Sequence, residues 1–213
     1  MAITQNPIIG ATRQSAGGMV FSRSLDQNII RAKPITYNDK NSDAQKAVRG
    51  RMTTVTGLAK ADSKKALDAL YPTRPAKQTK FSRLIQQLMA AVTVIAGEVT
   101  TNFANLLSLG NGTLANYFTQ LSFAFETGQY TISGINNIPD IATNTNYRLF
   151  AFVFNSTVGA GTSLQATTAL TNNSSILLDL PTGWTSTDDV TVYVGYTNIL
   201  SGNSSLAYKA TEA

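Results

Sequence analysis

Any acid–base or nucleophilic chemistry in this chain must rely on carboxylates, lysines and hydroxyls, because the sequence contains no histidine and no cysteine. Their absence excludes disulfides, Cys/His zinc sites, thiol nucleophiles and every triad that uses imidazole as its base. Asp188 and Asp189 are the only adjacent carboxylates, and neighbours on a strand or turn point in different directions. The remaining acids match no calcium-loop spacing. We therefore expect no catalytic site, metal or cofactor, and a protein that is not an enzyme.

Lysine and arginine in the first half of the chain are the candidates for contacts with phosphate or with another subunit. Phosphate backbones are bound mainly by these two residue types. The chain has no helix-turn-helix, RNP-like or finger motif to place them in a groove, so we favour protein contact or solvated helix faces over nucleic acid. The candidates are Arg31, Lys33, Lys60, Lys64, Lys65, Arg74, Lys77, Lys80 and Arg83.

The single tryptophan, Trp184, follows the turn sequence Pro181-Thr182-Gly183. It could stack on a ligand, but such a residue is more often a plug in the core or at an interface, at the edge of a sandwich. We name it as the aromatic interface candidate.

Charge is divided between the two halves of the chain. Residues 1–90 carry fifteen Lys and Arg against five Asp, a net charge of +10. Residues 91–213 carry only Arg148 and Lys209 against seven acids, a net charge of −5. Opposite charges on two parts of one molecule allow copies to attract each other head to tail. This division favours assembly over catalysis.

The first forty residues predict an extended arm with a β-hairpin. Met19–Arg23 and Asn28–Lys33 are short β-prone runs around a polar turn. Pro34 ends the second strand, because proline has no N–H to donate to a ladder. A lone hairpin is only marginally stable in water. We therefore expect residues 1–40 to lie against a second domain or another subunit.

Residues 41–97 predict a basic helical region. Ser42 and Gln45 have the spacing of a capping box, and the first helix then carries an apolar stripe of Val48, Met52 and Val55. A second, short helix follows and is stopped by a proline at position 72.

A third helix is predicted by apolar residues at i, i+3, i+4 and i+7 spacing. They are Phe81, Leu84, Ile85, Leu88, Met89, Val92 and Ile95. Gly97 is placed to close this helix. The most apolar window, Leu84–Ile95, spans about 12 residues, whereas crossing a bilayer takes roughly 20. With no signal peptide at the N-terminus, we expect a soluble protein with no membrane partner.

Residues 98–213 predict a β-sandwich domain, because seven short β-prone runs are separated by turn sequences. The predicted class is α+β, with an antiparallel immunoglobulin-like sandwich. Tyr147–Phe154 is apolar on both faces, as in a central strand, whereas Val190–Tyr196 alternates as if one face were outside. The runs are Leu121–Glu126, Gln129–Ser133, Tyr147–Phe154, Ser163–Thr168, Ser175–Leu180, Val190–Tyr196 and Ser205–Lys209.

The sandwich half has few of the residues that protect sheet edges. Lysine, proline and bulges usually protect them, but this half has one lysine, Lys209, and two prolines, Pro139 and Pro181. Its edges must then be covered by loops of the same chain or by neighbouring copies. This composition also favours assembly.

Three parts of the chain carry a resemblance to a known family. They are the hairpin end Ile29–Pro34 with Gln45 after it, the stretch Phe103–Leu114, and the strands Leu149–Asn155 and Val190–Tyr196 with the closing run Gly202–Ser205. In these parts the chain resembles a large uncharacterised family of Bacteroidota bacteria and their phages. The resemblance implies a Bacteroidota or phage origin and an arrangement of arm, helices and sandwich. It brings no functional residue with it.

The leading hypothesis is a structural protein of a bacteriophage virion, used in many copies in a head, connector or tail. It would be made in the bacterial cytoplasm and would contact other copies and other virion proteins. One alternative is a nucleic-acid-binding protein that uses the basic helices. Another is an adhesin that binds glycans or a host surface through tyrosine, tryptophan and asparagine on the sandwich.

Overall fold

Two units divide the chain in this computed structural model: Met1–Ser42, here called the N-terminal unit, and Asp43–Ala213, the main unit. The predicted boundary between helical region and sandwich, at residues 97 and 98, lies inside the main unit. The structure describes residues 2–4, 15–16, 19–24, 27–33, 41–60, 64–73, 78–95, 98–126, 128–139, 145–179 and 181–212.

The N-terminal unit is a four-stranded antiparallel sheet with the order β1-β4-β3-β2. Its strands are β1 (Ala2–Thr4), β2 (Ser15–Ala16), β3 (Met19–Ser24) and β4 (Gln27–Ala32). Strands β3 and β4 pair from Met19↔Ala32 to Ser24↔Gln27, so the predicted hairpin is confirmed. The predicted strand end at Pro34 lies outside the described residues.

The main unit begins with helix α1 (Asp43–Leu58), which starts beside the predicted cap Ser42. The predicted stripe of this helix is wrong in part, because Val48 is 66% and Met52 46% exposed, while Val55 is fully buried. The C-terminal turn of the helix is the part that enters the core: Val55, Leu58 and the following Ala59 belong to one hydrophobic cluster. Spacing alone identifies an apolar stripe, but it does not show which part of the stripe packs in the core.

Helix α2 (Lys64–Leu70) ends close to its predicted stop, but the predicted third helix is too long. Helix α3 (Lys80–Leu88) is capped by Thr79, whose Oγ1 accepts the Ser82 N–H at 3.0 Å. The residues predicted to continue α3 form strand β5 (Val92–Ile95) instead, paired with β6 (Glu98–Thr101). β-branched side chains lose rotamer freedom in helices and pack well on a pleated sheet, which favours a strand here.

Two further sheets complete the main unit. One has five strands in the order β11-β10-β13-β14-β7, and the other has four in the order β12-β9-β8-β15. All pairs are antiparallel except β15 with β8. The strands are β7 (Ser108–Leu109), β8 (Phe118–Glu126), β9 (Gln129–Asn136), β10 (Tyr147–Asn155), β11 (Ala160–Gln165), β12 (Asn173–Asp179), β13 (Val190–Asn198), β14 (Ala207–Lys209) and β15 (Thr211–Glu212). The α+β class is confirmed.

The five-stranded sheet lies between two hydrophobic clusters, so the main unit has three layers. On β10, Phe150, Phe152 and Phe154 face the cluster that contains the helices. The alternate residues of the same strand, including Ala151 and Val153, face the cluster shared with the four-stranded sheet. This arrangement explains why β10 is apolar on both faces, and it confirms the prediction of a central strand.

The same layering corrects the prediction for β13. Its valines face the four-stranded sheet, but Tyr193 on the other face is fully buried in the helical cluster. A tyrosine at this position suggested an outward face because its hydroxyl is polar. That hydroxyl instead donates to the Leu106 carbonyl at 2.5 Å, so the ring is buried with its polar atom satisfied.

Among the described helices, none is long and apolar enough to cross a membrane.

Candidate functional site

The predicted basic residues fall into groups with different surroundings. Lys60, Lys64 and Lys65 flank the connection between α1 and α2, are exposed, and form no ion pair within the described residues. By contrast, Lys80 Nζ lies 2.7 Å from Asp68 Oδ1. These three lysines, close together in the sequence, are thus exposed to a partner in the described part of the main unit.

The other members of the basic set are placed as follows. Arg83 Nη1 donates to Gln86 Oε1 at 2.6 Å on the surface of α3. Arg31 and Lys33 are exposed residues of the N-terminal unit. Arg74 and Lys77 lie outside the described residues. A basic residue that the prediction passed over, Arg51, donates through Nη2 to the Met89 carbonyl at the end of α3.

Trp184 is a core residue. It is 7% exposed and belongs to the cluster between the two sheets, together with Tyr130 and Ile176. Its backbone N–H donates to the Pro181 carbonyl at 3.1 Å, which fixes the turn that places the ring. The folded chain therefore places Trp184 in the core, which is one of the two roles expected of it.

One of the two adjacent carboxylates, Asp188, fixes a turn. Asp188 accepts hydrogen bonds from the Thr185 N–H at 2.9 Å, from Thr185 Oγ1 at 2.8 Å and from Asn155 Nδ2 at 2.6 Å. These bonds, that from the Thr185 backbone foremost, lower the pKa of Asp188 below its ordinary value. The residue ties the end of β10 to the turn before β13, and nothing in this geometry suits proton transfer. Within the described residues, no cluster of acids could hold a metal ion.

A polar junction at the Gly110-Asn111-Gly112 segment was missed by sequence reasoning. Gln87 Oε1 accepts the Gly110 N–H at 3.0 Å and the Tyr71 hydroxyl at 2.5 Å, while Gln87 Nε2 donates to the Gly110 carbonyl at 3.1 Å. Gly110 has φ +99, and a Cβ on Gly112 would lie 2.3 Å from the Ser205 carbonyl oxygen. The segment locks α2 and α3 to the sheet. Its sequence signals only a turn.

The described side chains of the N-terminal sheet are partly or fully exposed on both of its faces. Of its strand residues whose side chains the structure describes, none is buried: Met19 is 50% exposed, and Val20, Ser22, Ile29 and Ile30 are half-buried. Neighbouring residues of a strand point to opposite faces, so Ile29 and Ile30 sample both. This sheet has no described core of its own.

The edges of the main unit's two large sheets are unequal. Strand β11, at one end of its sheet, has six residues. Helix α1 packs on its face, since a Cβ on Gly161, which would point out of the sheet, would lie 1.9 Å from the Leu58 carbonyl oxygen. Strands β7 and β15, at the opposite ends of their sheets, have two residues each. Strand β12 has seven residues, and of the described strands only β9 pairs with it. Its Leu177 is 58% exposed.

Comparison with known proteins adds no relative. No protein-family model matches the chain, and a search of curated proteins finds no match. The surfaces that bear on function are therefore the described part of the N-terminal sheet, the three lysines after α1 and the edge of β12.

Proposed function

We propose that this protein is a structural component of a bacteriophage particle and acts by assembling in many copies. The observation that supports the proposal best is the N-terminal sheet, in which no described strand side chain is buried. A small sheet needs a hydrophobic face packed on something for stable folding. In a multi-copy assembly, a neighbouring subunit supplies that surface.

The apolar surface that the N-terminal sheet leaves exposed supports the same proposal. Burying a Val, Leu, Ile, Phe or Met side chain completely contributes about 1.5–3 kcal/mol. Met19 is 50% exposed, and Val20, Ile29 and Ile30 are partly exposed, so part of that stabilisation is still open to a partner. Strand pairing alone does not replace it, because backbone hydrogen bonds to water are exchanged for bonds within the sheet.

The charge distribution supports contacts between unlike surfaces of successive copies. The first 90 residues carry +10 and the rest −5, and Arg31, Lys33, Lys60, Lys64 and Lys65 are exposed. A contact between two different surfaces propagates into a ring or a stack. Exposed ion pairs add about 0–1 kcal/mol each, so charge here acts on the rate and order of assembly, and apolar contacts supply the affinity.

We also propose that the two large sheets form an immunoglobulin-like sandwich. In that fold, strands A, B and E share one sheet and C, F and G the other. The neighbours β8-β9-β12 and β10-β13-β14 fit this order when β8 is taken as A, β9 as B, β10 as C, β12 as E, β13 as F and β14 as G. Strand β11 then takes the C′ position. The parallel pairing of β15 with β8 is an addition to that plan.

Deleting residues 1–40 tests the assembly proposal. The truncated protein should keep the unfolding midpoint of the main unit, followed by fluorescence of Trp184, which is the only tryptophan and lies in that unit's core. Light scattering after size-exclusion chromatography should show high-order species for the full chain and their loss on truncation. A full chain that stays monomeric at high concentration would contradict the proposal.

The phage assignment needs a separate test. Antibody-labelled electron microscopy of particles from the native source should place the label on a head, connector or tail, at a regular spacing. Label on the host surface, with unlabelled particles, would overturn the virion assignment while leaving assembly intact.

Nucleic-acid binding is the second candidate, and the three exposed lysines after α1 favour it. The variant with Lys60, Lys64 and Lys65 changed to Gln removes three charges. A variant with Lys46, Lys80 and Lys209 changed to Gln removes the same net charge elsewhere and is the matched control. Binding through these residues predicts a loss confined to the first variant and a steep decline of affinity with salt. Equal DNA and RNA binding by both variants would exclude this role.

A further inference from the structure

The open edge of the main unit is strand β12, and its outward backbone groups can be identified. The Asn136 N–H donates to the Asn172 carbonyl at 3.0 Å, so residues 136 and 172 form a hydrogen-bonded pair. Such pairs alternate with non-bonded pairs along an antiparallel ladder, and the register from Asn173↔Ile135 to Asp179↔Gln129 is continuous. Residues 174, 176 and 178 therefore bond to β9, while Asn173, Ser175, Leu177 and Asp179 direct their N–H and C=O groups outward.

We propose that β12 is the site at which a second copy of this chain pairs, β12 against β12, antiparallel about a two-fold axis at Ile176. The two four-stranded sheets then become one eight-stranded sheet across the dimer. This inference deepens the proposed function, because it names one of the contacts by which copies assemble.

The register about Ile176 satisfies the backbone. It sets residue 173 opposite 179 of the second copy and 175 opposite 177, so every outward-directed residue meets another. Four such pairs exchange about eight hydrogen bonds. A centre at any other residue of the strand shortens the overlap, because the seven residues Asn173–Asp179 are symmetric only about position 176.

The side chains suit pairing with an identical strand. The only charge on β12 is Asp179, and the register places it opposite Asn173 of the second copy and at the far end from the other Asp179. Leu177, which is 58% exposed, comes diagonally next to Leu177 of the second copy, within reach of long side chains. A strand that carries its one charge at its end and exposes one leucine thus complements itself.

The core side of the edge has room for the added strand. An open groove of about 310 Å³ lies between the strand residues Ser175–Leu177 and the segment Leu164–Thr168. Ile176 belongs to the core cluster between the two sheets, and Leu164 packs on that cluster. Side chains of the second copy's strand that point toward the core would therefore meet an apolar floor at the dimer seam.

Strand β12 is the longest edge strand of the two large sheets. Proteins cover, shorten or charge their edge strands. Here, β7 and β15 are two residues long and β11 is six. Strand β12 has no lysine or proline, and within the described residues no other element pairs with its outer side.

Cysteine cross-linking tests the register, since the chain has no cysteine of its own. Full-length Ser175→Cys and Leu177→Cys proteins, with distinguishable mass tags, are mixed and oxidised. Opposite hydrogen-bonded residues have Cα atoms about 5.5 Å apart, within the disulfide range of about 4.4–6.8 Å, so heterotypic cross-links should dominate. Asn173→Cys mixed with Leu177→Cys is the control, because these positions are offset by two residues in the proposed register.

A charge substitution tests the contact itself. Leu177→Lys should weaken dimerisation in sedimentation experiments by about tenfold or more, because it sets two like charges beside each other at the seam. The matched control is Thr131→Lys, which adds the same charge on the neighbouring strand, directly beside Leu177. It should change dimerisation by less than about threefold. Trp184 fluorescence confirms that both variants are folded.

The outcomes separate this inference from the proposed function. Heterotypic cross-links with selective loss in Leu177→Lys support β12 pairing. Assemblies that persist without these cross-links overturn the pairing, and leave multi-copy assembly through other surfaces standing. Cross-links to a different protein, or a monomeric full chain, overturn the pairing as well, and the monomer would also overturn the proposed function.

Discussion

The N-terminal unit and the main unit are both built on antiparallel sheets, but the described residues show a core only in the main unit. Strand β10 has Phe150 and Phe152 on one face and Ala151 on the other, all fully buried. Strand β4 offers Ile29 and Ile30 on opposite faces, and both are half-buried. The two strands have similar β-prone sequences and different surroundings. A sheet can therefore form from local pairing while its stability depends on the layers placed over it.

The largest expected effect is Phe152→Ala, which breaks the buried side of the comparison. Its ring is fully buried between the five-stranded sheet and the helices. The free energy of unfolding of the main unit should fall by about 3–5 kcal/mol, from lost burial and a residual cavity. Chemical denaturation followed by Trp184 fluorescence measures it. A loss below about 1 kcal/mol would show that the helical layer packs loosely.

Gln87→Met tests the polar junction that holds the helices on the sheet. The substitution leaves the Gly110 N–H and the Tyr71 hydroxyl without their acceptor, at a cost of about 1–3 kcal/mol. Gln86→Met, one residue away on the exposed side of α3, is the control and should stay within about 0.5 kcal/mol. Equal effects in the two variants would mean that the junction does not contribute.

Alkaline unfolding should also report on the main unit. Burial raises the pKa of Tyr71, Tyr193 and Tyr196 above the ordinary value of 10.0. The folded state holds these protons more tightly than the unfolded state does. The contribution of these hydroxyls to the free energy of unfolding is therefore fully present below pH 10 and declines as the pH rises above it. Tyr193→Phe should flatten that decline.

The reference for the alkaline experiment is the wild-type protein, unfolded over the same range of pH. The same slope for Tyr193→Phe and wild type would show that the Tyr193 hydroxyl is reached by water.

The smallest effect on the monomer should come from Ile30→Ala in the N-terminal unit. Its side chain is only half-buried, so unfolding of the main unit should change by less than about 0.5 kcal/mol. If neighbouring copies cover this sheet, the same substitution should lower the stability of the assembly, measured by dilution and light scattering. A large loss of monomer stability instead would show that the N-terminal sheet has a core of its own.

Much of the fold was predictable from local patterns. The β3–β4 hairpin follows from two β-prone runs around a polar turn, and the central place of β10 from its two apolar faces. The C-terminal end of α3 was not predictable, because Val92 and Ile95 continue the helical spacing and also belong to a β-branched run. Either conformation suits such a run, and pairing with β6 decides between them.

The candidate functional residues were predictable to differing degrees. Lys60, Lys64 and Lys65 were identified from charge alone and are exposed. Trp184 was identified from its residue type, but its burial depends on the packing of two sheets. The Gln87 junction had no sequence signal, since its partners lie 16 and 23 residues away.

The sequence by itself determined the α+β class, the approximate places of the β3–β4 hairpin and of most strands of the two large sheets, the absence of imidazole and thiol chemistry, and the division of charge. These are properties of composition and of neighbours along the chain. Only the tertiary structure decided that helices cover the outer face of β13, that α1 packs on the face of β11, and that β12 is left open. Covering an edge or a face requires residues distant in the sequence, and local spacing carries no information about which of them meet.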